Sequence, residues 1–331
     1  MIDYFLSCDW GTSAFRMKLA GLSAGARTIY GAVRHRQGIK STFKAWQESG
    51  GPAADRQAFY TRIIKNGIAE LEKLTGLDLT GVPVVVSGMA SSSIGMIDLP
   101  YKALPFRIDG SDLEFRPIAL PGGTERACLL ISGARTPDDV MRGEETLLVG
   151  AAAARPSAET EGLYVFPGTH SKHIHVKNGW ATGFRTYMTG EIFELLSRQS
   201  TLSQGINAEE KMESPDQNEH FRTGVRRGIT GNLLNQAFHT RAWFLADPAR
   251  RSANFHFLSG LLIGAEIRDL LPDQNLAFTV VADGVLARAY GAALAEAGLA
   301  ERATFLDTEE ALLDGQAAIL RTATGLSDDQ D

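Results

Sequence analysis

Two short stretches, one in each half of the chain, share one design: an apolar strand, a tight turn rich in glycine and hydroxyls, and a second strand. The first is FLSCDWGTSAFRMKLA, residues 5–20, turning at Asp9-Trp10-Gly11-Thr12-Ser13. The second runs from 163 to 177 and turns at Pro167-Gly168-Thr169-His170-Ser171. A hairpin that leaves a buried strand constrains everything paired beside it, because a one-residue slip turns every side chain to the other face. Two such hairpins, each followed by strand and helix segments, predict an α/β chain of two domains with mixed sheets flanked by helices. A length of 331 residues suits two cores better than one. The polar run ARPSAETEG places the boundary, giving domains at 1–155 and 160–325 and a flexible tail at 326–331.

Periodicity predicts strands over 4–8, 14–22, 27–35, 82–86, 127–131, 163–166, 172–177, 277–282 and 303–306. It predicts helices over 55–75, 144–154, 191–198, 221–246, 255–271 and 285–297, and a final helix after 306. The polar stretch 199–220 reads as a loop or short helical excursion.

A net charge of −6 argues against a nucleic-acid partner, since phosphate affinity needs a cationic face. No apolar run approaches the ~18 residues of a membrane span, and no basic leader precedes an apolar segment. A cytoplasmic protein with a small-molecule substrate is expected, and a homodimer stays open. Cys8 and Cys128 stand far apart without CxxC spacing, so zinc and redox chemistry are not expected. His173 and His175 share a strand face, but no further ligand completes a metal set.

The turns suit phosphate. Gly11 lets the backbone approach a ligand, and consecutive N–H groups make an anion-binding concavity. Thr12 and Ser13 add hydroxyls. Asp9 would repel a bare phosphate, so it suits Mg²⁺ held through water. Arg16 lies on the strand face of Thr12 and Ala14. An ordinary hairpin also places Asp and Gly at its turn; the second turn, with Gly168, Thr169, His170, Ser171 and Lys172, favours phosphate.

DWGTSAFR resembles the first phosphate motif of the actin/hexokinase/Hsp70 ATPase superfamily. VVVSGMASSSIG, VMRGEETLLVGA, YVFPGTHSKHI, FRTYMTGE and FLSGLLIGAEI, in that order, make the chain similar to 2-keto-3-deoxygalactonate kinases. The resemblance implies a two-domain actin-like (ribonuclease H-like) fold. It implies an ATP- and Mg²⁺-dependent kinase that phosphorylates 2-keto-3-deoxy-D-galactonate at its C6 hydroxyl during galactonate breakdown. It also implies that Glu144, after a glycine at a helix start, is the base. Glu145 is the alternative, and two acids in a first helical turn are also common as dipole partners.

Further roles follow from the resemblance. Ser87, Gly88, Met89 and Ser91 would bind substrate, although a Ser/Gly loop can be merely flexible. Thr189 would join them. Arg142, Arg185 and Arg34 are candidates for the substrate carboxylate that sequence does not separate. Ala282, Asp283 and Gly284 would carry the adenosine. Gly260 and Gly264 predict a close interdomain helix contact. Two rivals are a kinase of another sugar or sugar acid and a non-kinase actin-like ATPase or sugar-sensing module.

Overall fold

A computed structural model describes residues 4–22, 28–120, 127–155, 162–272 and 277–325. The tail expected at 326–331, and most of the expected boundary, lie outside the described residues. The chain divides into two compact units. Unit 1 holds 1–161, 176–183 and 309–331, and unit 2 holds 162–175 and 184–308.

Unit 1 begins with β1 (Tyr4–Trp10), β2 (Phe15–Gly21) and β3 (Ile29–His35), then α1 (Ile39–Glu48) and α2 (Arg56–Thr75). There follow β4 (Val84–Gly88), β5 (Lys102–Ala103), β6 (Phe106–Arg107), β7 (Phe115–Pro117) and β8 (Cys128–Ile131). Two short strands, β9 (Ala134–Arg135) and β10 (Val140–Met141), lead into α3 (Glu144–Ala153). The main sheet has the order β3-β2-β1-β4-β8-β7. β1 pairs antiparallel with β2 and parallel with β4, and β4 runs parallel to β8. Alternation places Leu6, Cys8, Trp10, Phe15, Met17 and Leu19 in one core with Tyr60, Ile64 and Leu71 of α2. Burial holds the Cys8 thiol well above its usual range, so it behaves as an apolar core group.

Unit 2 contains β11 (Gly162–Phe166), β12 (Ser171–Lys177), β13 (Trp180–Tyr187) and α4 (Thr189–Arg198). It continues through α5 (Glu219–Thr230), α6 (Leu233–Ala246), α7 (Arg251–Ile267), β14 (Phe278–Val281), α8 (Gly284–Glu296) and β15 (Ala303–Leu306). Its strands order as β15-β14-β11-β12-β13. That repeats β8-β4-β1-β2-β3 of unit 1, with β11, β14 and β15 parallel as β1, β4 and β8 are. This doubled order is the actin-like, ribonuclease H-like arrangement expected from the resemblance. The far end of the β12–β13 hairpin belongs to unit 1, where Trp180 and Ala181 pair with Arg107 and Phe106 of β6.

Several elements differ from expectation. β13 and α1 have no counterpart in the periodic pattern, although Asn178-Gly179, with φ of 52° and 75°, is a strong hairpin signal. The helix expected over 221–246 is two helices, because the Asn232 side chain accepts from the N–H groups of Leu234 and Asn235 and starts a new one. α7 packs against α5 inside unit 2, so Gly260 and Gly264 do not mark an interdomain contact. A Cβ on Gly260 would stand 2.0 Å from the Phe221 carbonyl oxygen of α5.

The last helix, α9 (Thr308–Thr324), differs too. All of it after Thr308 groups with unit 1 rather than with a second domain running to 325. It crosses α3 at backbone contact: a Cβ on Gly315 would lie 2.0 Å from the Thr146 oxygen, and one on Gly150 would lie 1.8 Å from the Ala311 oxygen. No described helix is long and apolar enough to cross a membrane. Replacing Gly315 by Val forces the two helices apart, and overpacking of this kind costs ~1–3 kcal/mol. The expected result is a lowered urea midpoint for Gly315→Val with the m-value unchanged; an unaltered midpoint would contradict the crossing.

Candidate functional site

In unit 1 the hairpin tip is held from outside. Gly11 N–H donates to the Ala14 oxygen at 3.0 Å, closing the turn, and Thr12 and Ser13 stand exposed on it. The segment before α1 clamps this tip. Trp10 Nε1–H donates to the Gln37 oxygen at 2.9 Å, and Ile39 N–H donates to the Gly11 oxygen at 3.0 Å. Gly38 lies so close that a Cβ there would sit 2.3 Å from the Thr12 oxygen. Sequence reasoning missed this clamp, because Gly38 carries no chemistry of its own. Arg16 is the direct cross-strand partner of Asp9, and their side chains form an ion pair. The arginine therefore meets Asp9 across the ladder rather than Thr12 along its own strand.

Three backbone segments converge beside Asp9. Gly88 (φ 85°) ends β4 and Gly143 (φ 110°) precedes α3; both take conformations that L side chains rarely adopt. A Cβ on Gly88 would meet the Trp10 oxygen at 2.9 Å and Asp9 Oδ1 at 3.5 Å. One on Gly143 would meet the Gly88 Cα at 3.5 Å. The site thus stands at the carboxyl ends of parallel β1 and β4, where α/β sheets bind ligands. α3 begins there with both acids reaching back to its unpaired N–H groups. Glu144 Oε2 accepts from Arg142 N–H at 3.0 Å, and Glu145 Oε2 from Gly143 N–H at 2.7 Å. Glu144 is half-buried, whereas Glu145 is buried.

The loop after β4 is organised by Arg142. Its guanidinium donates to the Ser91 carbonyl and hydroxyl oxygens and stacks on Tyr101, 4.1 Å from the ring centre. Ser87 is buried, and its hydroxyl accepts from Gln316 Nε2 of α9 at 2.9 Å. Ser87, Ser91 and Arg142 therefore build the loop, and Met89 is half-buried in it.

In unit 2 a buried acid, Glu266 of α7, gathers three donors. His173 Nε2 lies 2.9 Å away and the Tyr290 hydroxyl 2.7 Å away, and the Thr189 hydroxyl also donates to it. Burial, then the Glu266 charge, keeps the Tyr290 phenol protonated well above its ordinary range. Tyr290 thus donates to Glu266 and receives from Ser171 Oγ at 3.0 Å, while Ser171 Oγ accepts from Gly168 N–H at 3.3 Å. This chain anchors the second turn, leaving Thr169 and His170 exposed on it. Glu191 pairs with His170 at 2.6 Å.

Several expected ligand groups are occupied here by the protein. Ser171 and Thr189 are hydrogen-bonded inside, and buried Lys172 donates its ammonium to the His170 oxygen at 3.1 Å. Arg185 stands 68% exposed in unit 2 and pairs with Asp269 at 3.4 Å. A cavity of about 300 Å³ opens beside the second turn, lined by Gly168, Gly190, Phe193, Ser259, Leu286 and Ala289 among others. It adjoins the Ala282-Asp283-Gly284 turn, but its walls are the first turns of α4 and α8 and the side of α7. Mostly apolar walls with a few polar groups suit a nucleoside.

The sequence matches the family described as 2-keto-3-deoxy-galactonokinase over residues 9–319. The chain belongs to that family. A 2-dehydro-3-deoxygalactonokinase of Escherichia coli K12 is 36% identical over 238 residues, 68% of this chain and 75% of its own. A Rhizobium meliloti protein, named as a probable 2-dehydro-3-deoxygalactonokinase, is 30% identical over 327 residues, 96% of this chain and 97% of its own. Among solved structures, one assigned to a 2-dehydro-3-deoxygalactonokinase protein of Sinorhizobium meliloti superposes with a TM-score of 0.80 at 27% identity, covering 98% of this chain and 99% of that one. The protein is therefore a kinase, a phosphotransferase to an alcohol.

For a kinase of this family the two acids of α3 divide by environment. Burial first, then the Glu144 charge, lifts the Glu145 carboxyl from 4.5 to about 7. A carboxyl near 7 suits a base. Yet Glu145 is 1% exposed and also accepts from Thr146 Oγ1 at 3.1 Å, so it faces the helix start. The raised value has a sign. The fold favours protonated Glu145, so stability falls as pH rises from 4.5 through 7, by roughly 3 kcal/mol in all. Glu145→Gln lacks this loss. Its stability relative to wild type should grow by about 2–3 kcal/mol from pH 5 to pH 8, read from urea midpoints at the two pH values; a constant difference would refute the buried, raised carboxyl.

Proposed function

We propose that the enzyme transfers the γ-phosphoryl group of ATP to the C6 hydroxyl of 2-keto-3-deoxy-D-galactonate, in the cytoplasm, as a step of galactonate catabolism. The observation that carries this reading is the half-buried Glu144 carboxylate at the start of α3, beside the convergence of Asp9, Gly88 and Gly143. Glu144 accepts the C6 hydroxyl proton as that oxygen attacks phosphorus, and the bond from the γ-phosphorus to the bridging oxygen breaks to leave ADP. At the turn that Gly11 closes, the exposed Thr12 and Ser13 offer N–H and hydroxyl donors to the transferred phosphate. In unit 2, the exposed Thr169 and His170 make a second turn whose N–H groups and hydroxyl suit a phosphate. The purine and ribose occupy the 300 Å³ cavity, with Leu286 and Phe193 against the ring.

Mg²⁺ fits as an ion that arrives on the nucleotide. Among the described residues no three His, Cys, Asp or Glu side chains gather to cage a metal. Mg²⁺ binds through one or two carboxylates, waters and substrate phosphates, and Asp9, 25% exposed at the end of β1, supplies one. When bound, the ion neutralises phosphate charge. Arg16 holds the Asp9 carboxylate through their ion pair.

A coupled ADP-release assay tests the base. Glu144→Gln should lower kcat by ~10²-fold or more with little change in either KM. Glu145→Gln should keep most of the activity; a loss there with Glu144→Gln active would transfer the role to Glu145. The cavity is tested separately. Ser259→Trp fills it, so the KM for ATP should rise at least ~10-fold while the acceptor KM holds. Unchanged ATP affinity would place the nucleoside elsewhere.

A further inference from the structure

The proposed acceptor carries a carboxylate at C1, at the end opposite its reacting C6 hydroxyl. We infer that Arg34, on β3, is the residue that binds this carboxylate; the inference rests on the proposed sugar-acid acceptor.

Three arginines compete for the role, and their surroundings separate them. The Arg142 guanidinium is committed to the Ser91 oxygens and stacks on Tyr101. Arg185 belongs to unit 2 and is paired there with Asp269. Arg34 is exposed, and among the described residues it has no acidic partner.

Its position is fixed by the ladder. Arg34 lies directly opposite Arg16 across β2–β3, and Arg16 lies directly opposite Asp9 across β1–β2. The three side chains therefore share the sheet face that Val33 and Met17 do not, since those neighbours point into the core. Like charges directly opposed on a sheet repel. The single carboxylate of Asp9 serves one of the two guanidiniums, and the row Asp9–Arg16–Arg34 is left one negative charge short. Strands lie about 4.8 Å apart, so Arg34 sits roughly 10 Å from Asp9 along the row. An acceptor whose reacting hydroxyl is beside Glu144 and Asp9 can extend its opposite end toward Arg34. A guanidinium there offers the planar, two-pronged donor that a carboxylate accepts. β3 is also rigidly placed, because His35 pairs with Phe15 and the Gln37 oxygen is held by Trp10.

The test compares wild type, Arg34→Met and Arg34→Lys for KM toward 2-keto-3-deoxy-galactonate and toward ATP. The same acceptor with C1 as a neutral amide is a third substrate. A lost charge-assisted hydrogen bond is worth ~10- to 150-fold. Arg34→Met should raise the acceptor KM by about 30-fold, leave the ATP KM within about twofold, and treat the amide as wild type does. Arg34→Lys should recover part of the loss. A rise in the ATP KM instead would make Arg34 a phosphate reader and overturn the assignment. Unchanged constants for both substrates would also overturn it. Wild-type turnover of the sugar acid reports on the parent reading by itself: its absence strikes the proposed acceptor, whereas normal wild-type turnover with an indifferent Arg34→Met strikes Arg34 alone.

Discussion

The site in unit 1 depends on the pairing of β1, which has an antiparallel neighbour on one side and a parallel neighbour on the other. The antiparallel ladder brings Arg16 to Asp9, and the parallel ladder brings Ser87 to the other side of Asp9. The same register buries Cys8 and Trp10 beneath them. A slip by one residue would turn Asp9 into this core and Trp10 onto the face that Asp9 holds. The core therefore holds the carboxylate in place: the apolar alternation of β1 selects one register, and that register selects the neighbours of the acid.

Unit 2 solves a similar problem with polar groups. Its second turn carries no acid and has Pro167 at its start. What orders it is the chain from Gly168 through Ser171 and Tyr290 to Glu266. Such chains polarise one another in a low-dielectric interior, and a fully satisfied one rigidifies its surroundings. Glu266 also holds His173 of β12 and Thr189 of α4, so one buried carboxylate joins the turn, the strand after it and the helix that walls the cavity. Groups that look like ligand donors in the sequence, Ser171 and Thr189 among them, are consumed in building the turn. The exposed Thr169 and His170 remain on its surface.

Much of the fold was legible in the residues. The periodic strands and helices fall within a few positions of their observed bounds, because apolar alternation and helical spacing are written locally. The helix break at Asn232 was legible as a cap, although helical spacing runs on both sides of it. β13 was legible in Asn178-Gly179. The clamp of Gly38 on the Thr12 turn was not legible, since a glycine in sequence does not say what approaches it. Nor was Gln316, whose amide reaches Ser87 and the Cys8 carbonyl from the far end of the chain.

The sequence alone determined the doubled α/β design, the hydroxyl-bearing turns and the family, for these rest on local chemistry in a fixed order. Only the tertiary structure decided which chemistry-bearing residues are spent. Arg142 ties down a loop, Lys172 is buried on a carbonyl, and Glu145 is drawn into the start of α3 while Glu144 stays half-open. It also decided that α9 closes unit 1 through glycines at backbone contact with α3. The physical reason is that a side chain's availability depends on its partners, and partners distant in sequence are chosen by packing and register rather than by neighbours along the chain.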